Sequence, residues 1–211
     1  LYDRSRIITD APMRLTASGV GDLLGKYTAL ADWKITNILD GEYICDRICE
    51  MEYDALDKLK ESLDGLSNRD INAYEELMYG LLLSGLAMQM TGHSRPASGA
   101  EHHMAHFWEM AVINDEIDAY HGEKVGVGLI QVSDIYHEAV KYLKEGNFKV
   151  KDHVDIETDL IEKTFTNKEL CESIKKTNDP NLLDLIDPKI LREKTEEIIR
   201  IIEEIPKADE I

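Results

Sequence analysis

Basic residues are scarce in this chain. It has 24 Lys and Arg against 42 Asp and Glu, a formal net charge of -18 at pH 7. Binding a phosphate backbone needs a basic stripe, so nucleic acid is not expected as a partner. The acidity is spread along the chain, the pattern of a solvated surface. A phosphorylated substrate would still require local positive charge in its site. Long apolar runs are missing too. The most apolar stretch, residues 81–90, is interrupted by Ser84 and Gln89. It falls far short of the roughly 20 apolar residues a bilayer span requires, so no membrane insertion is expected, and no signal peptide is visible. Cysteine is limited to Cys45, Cys49 and Cys171. Cys45 and Cys49 lie four apart in a helical pattern and read as small buried apolar residues of a reducing cytoplasm, not a disulfide or metal pair. Alternation with a period of two is almost absent, which removes the signature of strands.

What remains is helical. Apolar residues make up 43% of the 211 positions, enough for a core. Asp10, Ala11 and Pro12 read as a helix start, and the helix should be short because Gly19 and Gly21 follow. Helical spacing then predicts helices over 22–39, 43–63, 71–90, 99–114 and 121–145, with a turn at 66–70 and a loop at 92–99. Residues 150–211 read as three shorter helices, with starts at Asp179-Pro180 and Asp187-Pro188. The expected fold class is all-α, an array of about eight to ten helices. The whole chain, 1–211, reads as one helical domain, with a core over 1–145 and an acidic helical C-terminal part over 146–211. The chain opens on Leu1, not Met, and runs almost at once into helical pattern, which suggests that an N-terminal region is missing.

Three local features carry chemistry. The first is the run from Ser18 to Lys26, in which glycines precede Asp22. Asp22 is expected in the first turn of a helix, where the helix dipole favours a carboxylate. Its ordinary reading is a helix-start Asp. The glycine spacing is not that of a dinucleotide loop, and no strand–helix–strand unit follows. The second is the run from Ser94 to His106. Within a helix, His102 and His106 share a face one turn apart, while His103 points elsewhere. The third is the run from His121 to Gly128, where His121 opens an apolar helix and could simply cap it. Taken together, Asp22, His102 and His121 offer one carboxylate and two imidazoles from three separate helices. That set suits Zn²⁺, with Fe²⁺ or Ni²⁺ as alternatives, and leaves coordination positions open for substrate. An ion so held is a Lewis acid that can lower the pKa of a bound alcohol, as hydride transfer from a secondary alcohol requires.

These segments, above all the Ser-Arg-Pro-Ala-Ser-Gly-Ala-Glu-His run from Ser94 to His102, resemble the iron-containing alcohol dehydrogenase and dehydroquinate synthase superfamily, in its sn-glycerol-1-phosphate dehydrogenase branch. The resemblance covers roughly residues 1–145. It implies a two-domain enzyme in which an N-terminal α/β domain binds NAD or NADP and a C-terminal helical domain holds the metal. This chain corresponds to the second domain, without the α/β dinucleotide domain, so the cofactor would be bound mainly by the missing part. The resemblance implies metal ligation by Asp22, His102 and His121. It implies a catalytic place beside the substrate for His106, which could help move a proton. Lys26 and Arg95 are candidates to meet a substrate phosphate, although a surface ion pair is the commoner fate of such residues. His93, His103, His137 and His153 take structural readings. The implied reaction interconverts dihydroxyacetone phosphate and sn-glycerol 1-phosphate, in the cytoplasm and in a homo-oligomer. A free-polyol dehydrogenase, a dehydroquinate synthase-type lyase and an inactive helical assembly module stay open beside it.

Overall fold

The computed structural model describes residues 4–110, 118–146, 148–149 and 155–211, and among them there is no strand. The chain is all-α. Its helices are α1 (Arg4–Thr9), α2 (Met13–Leu24), α3 (Lys26–Asp40), α4 (Asp46–Ser67), α5 (Ile71–Thr91), α6 (Ala100–Glu109) and α7 (His121–Glu145). They are followed by α8 (Thr158–Thr164), α9 (Lys168–Thr177), a 3-10 turn at Leu182–Leu185, α10 (Pro188–Glu193) and α11 (Thr195–Glu203).

The longest packed pair is α4 on α5. Asp70 caps α5 by accepting the backbone N–H of Asn72 at 2.9 Å, which fixes the turn and folds the two helices back on each other. Their inner faces and those of α2 and α3 bury Leu23, Leu30, Trp33, Leu56, Leu59, Tyr74 and Leu77. The indole N–H of Trp33 donates to the carbonyl of Tyr43 at 2.8 Å, so the largest core side chain keeps its polar atom satisfied. A second cluster forms where Ile198, Ile199, Ile201 and Ile202 of α11 meet Ala31 and Val140. That contact ties the C-terminal segment to α3 and α7.

Two boundaries differ from the sequence reading in ways that matter. Gly19 and Gly21 do not end a helix; α2 runs through both, and the break falls at Gly25. Asp22 therefore sits in the last turn of α2 and not in the first turn of a helix. The physical reason is close packing of α2 against α7. A β-carbon on Gly21 would run into the carbonyl oxygen of Gly122, and one on Gly122 into the carbonyl of Ser18. The glycines serve a backbone-to-backbone crossing, and the helical bonds survive their low propensity because tertiary contact decides. The second difference is at α6, which ends at Glu109 because Met110 leaves helical geometry at φ -69, ψ 105. Residues 111–114 of the expected helix over 99–114 lie outside the described residues. In the C-terminal part Asp187 caps α10 as expected, accepting from the N–H of Lys189 at 2.8 Å. Asp179-Pro180 precedes only the 3-10 turn, and residues 155–211 hold four short helices where three were expected.

One buried charge sits against this scheme. Glu52 lies on the apolar face of α4 with Ile48, Cys49, Ala55 and Leu56, fully buried, and neither carboxylate oxygen has a hydrogen-bond partner. Burial pushes its carboxyl up to about 7, with the charge of Lys26 pulling the other way. The folded state therefore holds this proton more tightly than the unfolded chain. The stability it contributes is present below the unfolded value and is lost as pH rises through the folded one. The expected loss is about 3 kcal/mol across that window. Urea unfolding of the parent and of Glu52→Gln should show the variant gaining by about that amount between pH 5 and pH 8; parallel curves would refute the assignment. Gly122→Ala should cost about 1–3 kcal/mol by overpacking the crossing of α2 and α7, readable in the same assay.

Candidate metal centre

Three helices converge through backbone contacts. Gly21 meets Gly122 and Gly126 between α2 and α7, while a β-carbon on Gly128 would stand 2.6 Å from the carbonyl oxygen of Glu101, bringing α6 onto α7. The side chains beside these contacts are Asp22 on α2, His102 on α6 and His121 at the first position of α7. One potential ligand atom from each lies within 4.8 Å of the other two. The rings of His102 and His121 are 5.2 Å apart. All three residues border a cavity of about 450 Å³, together with Lys26, His103 and His106.

Asp22 stands at the negative end of the α2 dipole, the wrong end for a carboxylate. Its neighbours offset that. The ammonium of Lys26 donates to Oδ1 of Asp22 at 3.0 Å and to its carbonyl oxygen at 2.9 Å. Nε2 of His102 lies 3.3 Å from Oδ1. Burial pushes the Asp22 carboxyl up, but hydrogen bonds and charge from His102 and Lys26 outweigh it and hold the group well below the usual carboxylate range. His102 shows the converse balance. Burial lowers its pKa, and the hydrogen bonds to Asp22 and Glu101 raise it further than burial lowers it. A site that keeps its carboxylate ionised and presents two imidazoles is chemically suited to a borderline divalent cation. The donor set fits the group the sequence implied.

The remaining candidates are placed differently. His106 borders the cavity, its ring stacked 5.2 Å from that of His121. Lys26 also borders it, almost wholly buried and bonded to Asp22. Arg95 does not border this cavity. Its guanidinium pairs with Glu42 at 2.8 Å and faces a neighbouring hollow beside Tyr136. His103, expected to point elsewhere, contributes to the lining of both. His93 packs edge-on against Trp33 at 5.6 Å, and Nε2 of His137 lies 2.9 Å from the carbonyl oxygen of Ile205. His153 lies outside the described residues.

Sequence reasoning assigned no role to Glu101 or Glu109. Glu101 is fully buried, with Oε1 2.7 Å from Nδ1 of His102. Glu109 faces Nδ1 of His121 at 3.0 Å and Nδ1 of His106 at 3.2 Å. A signal existed for Glu101: it falls one turn before the buried Ala105, on the apolar face of α6, where a carboxylate needs a reason.

Parts of known proteins match this chain. Over 141 residues it is 40% identical to a protein of Bacillus licheniformis named glycerol-1-phosphate dehydrogenase [NAD(P)+], a match covering 66% of this chain and 35% of the relative. A protein of the same name from Pyrococcus furiosus is 33% identical over 145 residues, 69% of this chain and 41% of the relative. A third, from Sulfolobus acidocaldarius, is 40% identical over 133 residues, 62% of this chain and 36% of the relative. The chain thus matches well under half the length of these curated relatives. No family model matches it.

If the three side chains hold an ion, Asp22→Asn or His121→Ala should weaken zinc binding more than about a hundredfold, since losing even an outer-shell partner costs about 10–100-fold. Competition against a coloured chelator reads this. His137→Ala, whose ring meets the carbonyl of Ile205 just beyond α11, should bind zinc like the parent; equal affinity in all three variants would remove the centre.

Proposed function

We propose, on the premise that the chain is a member of the sn-glycerol-1-phosphate dehydrogenase branch, that it forms the metal- and substrate-binding part of an NAD(P)-linked oxidoreductase. The reaction is the interconversion of dihydroxyacetone phosphate and sn-glycerol 1-phosphate. The observation that carries this reading is the convergence of Asp22, His102 and His121 on one cavity, in a chain whose relatives bear that name. A divalent ion, zinc foremost, would be held by these three side chains and would supply Lewis acidity toward the oxygen at C2 of the substrate.

The chain's own residues do the rest. Lys26 keeps Asp22 ionised, donating one hydrogen bond to its carboxylate and another to its backbone carbonyl. Stacked on His121 at the cavity's edge, His106 can accept or return the hydroxyl proton at a ring nitrogen. NAD or NADP would be held mainly by a dinucleotide-binding domain of the full-length protein and would supply the hydride chemistry. Assembly into a homo-oligomer belongs to the same reading. Exposed Tyr79, Leu82 and Leu86 on α5 are apolar surface of the kind such contacts use.

One observation favours a second substrate. Arg95 is engaged by Glu42, and the charge of Lys26 is already shared with Asp22, so neither candidate cation is at hand for a phosphate. A free polyol is therefore the alternative. The full-length protein should reduce dihydroxyacetone phosphate with a nicotinamide cofactor, lose turnover when chelated and regain it with added zinc. Turnover with dihydroxyacetone as fast as with its phosphate would transfer the assignment to a free polyol, and no turnover with either would overturn it.

A further inference from the structure

We infer that Glu101 and Glu109, at opposite ends of α6, are positioning residues that dictate which nitrogen of His102 and of His121 faces the shared point beside Asp22. The inference rests on the metal reading proposed above. A neutral imidazole carries its proton on one nitrogen and a lone pair on the other. A carboxylate acceptor beside Nδ1 draws the proton there and leaves the Nε2 lone pair free. His121 has this arrangement; His102 has a carboxylate at both nitrogens, and the nearer one, Glu101 at 2.7 Å against 3.3 Å for Asp22, draws the proton to Nδ1. Oε1 of Glu101 lies 2.7 Å from Nδ1 of His102, whose Nε2 lies on the Asp22 side at 3.3 Å from Oδ1. Oε1 of Glu109 lies 3.0 Å from Nδ1 of His121.

The two carboxylates are themselves anchored, as orienting groups must be. Oε1 of Glu101 accepts the backbone N–H of Gly99 at 2.9 Å, and its Oε2 accepts the hydroxyl of Thr28 at 2.5 Å. Thr28 belongs to α3, so a third packed element sets the rotamer. Glu109 is shared: Lys124 reaches its Oε1 at 3.5 Å, and Nδ1 of His106 lies 3.2 Å from its Oε2. Glu109 thus fixes two rings at once, one in the ligand triad and one beside it.

His106, Glu109 and His121 also bring potential ligand atoms within 4.8 Å of one another, a second possible donor group. Two features favour orientation over ligation. Each Glu109 oxygen already faces an imidazole nitrogen at hydrogen-bond distance. The residues are also all exposed, whereas the first group includes buried His102.

The test uses the full-length protein with ¹⁵N-labelled histidine, metal-free and in mildly alkaline solution so that the rings are neutral. Imidazole nitrogen shifts report each tautomer. His102 and His121 should both carry the proton on Nδ1. Glu109→Ala should move His121 toward the Nε2–H form and leave His102 unchanged. Glu101→Gln, which keeps the buried volume, should weaken the bias of His102 alone. Zinc affinity should fall about 10–100-fold in Glu109→Ala, while Glu109→Gln, which retains an acceptor oxygen, should recover most of the loss. Unchanged tautomers and affinity in both Ala and Gln variants would overturn the inference. So would two ions per chain in the parent falling to one in Glu109→Ala, because Glu109 would then be a ligand. A parent that binds no zinc would end the metal reading, and the imidazole spectra would still decide the tautomers.

Discussion

Everything at the candidate centre depends on how closely α2 and α7 cross. With glycine at positions 21, 122 and 126, no β-carbon separates the two backbones. The residues next to that contact, Asp22 and His121, are brought side by side as a result. Gly128 repeats the device one and a half turns later, admitting the backbone of α6 at Glu101 and so setting His102. A ligand set drawn from three helices needs each helix fixed to a fraction of an ångström. Direct backbone contact achieves this better than a layer of flexible side chains, because it leaves little room for rotamer adjustment.

Charge is arranged locally against the overall balance of the chain. The protein carries a large acidic excess, yet the carboxylates around the cavity are each matched. Asp22 has Lys26 and His102, Glu101 has His102, Thr28 and an N–H, and Glu109 has His121, His106 and Lys124. Because Asp22 sits at the unfavourable end of α2, these partners offset the dipole as well as burial. Glu52 marks the contrast. It is as fully buried as Glu101 and has no hydrogen-bond partner, so its proton is retained toward neutral pH.

Much of this was legible in the sequence, and the misreadings share a cause. Apolar spacing announced the long helices, since a buried face leaves a periodic record. Asp22, His102, His106 and His121 stood out because carboxylate and imidazole in glycine-flanked runs are chemically conspicuous. The glycines themselves were ambiguous: Gly19 and Gly21 have the low helix propensity of a break, and Gly25 has the same. Only the partner helix distinguishes a crossing from a terminus, and the partner lies some hundred residues away, as for any contact between distant segments. Glu101 showed only its place on an apolar face, and Glu109 showed nothing, for a related reason. Glutamate on an acidic helix is by default solvated surface, and its pairing with a ring nitrogen is a fact of three dimensions. Arg95, a cation inside a distinctive motif, is paired with Glu42, the commoner fate of such a residue.

The burial of the three candidate ligands is graded, and the grading gives the site a direction. The His102 side chain is 8% exposed, Asp22 31% and His121 40%. The deep side is backed by Glu101, which is locked by a backbone N–H and a threonine hydroxyl of another helix. The shallow side is backed by Glu109, which holds His121 while also meeting His106 and Lys124 at the rim. The cavity is therefore closed by packed backbone on the His102 side and open toward His121 and His106. His106 stacks on His121 at that open side. The two carboxylates thus back the site from unlike sides, Glu101 from a buried and fully bonded one and Glu109 from an exposed one that it shares with several partners.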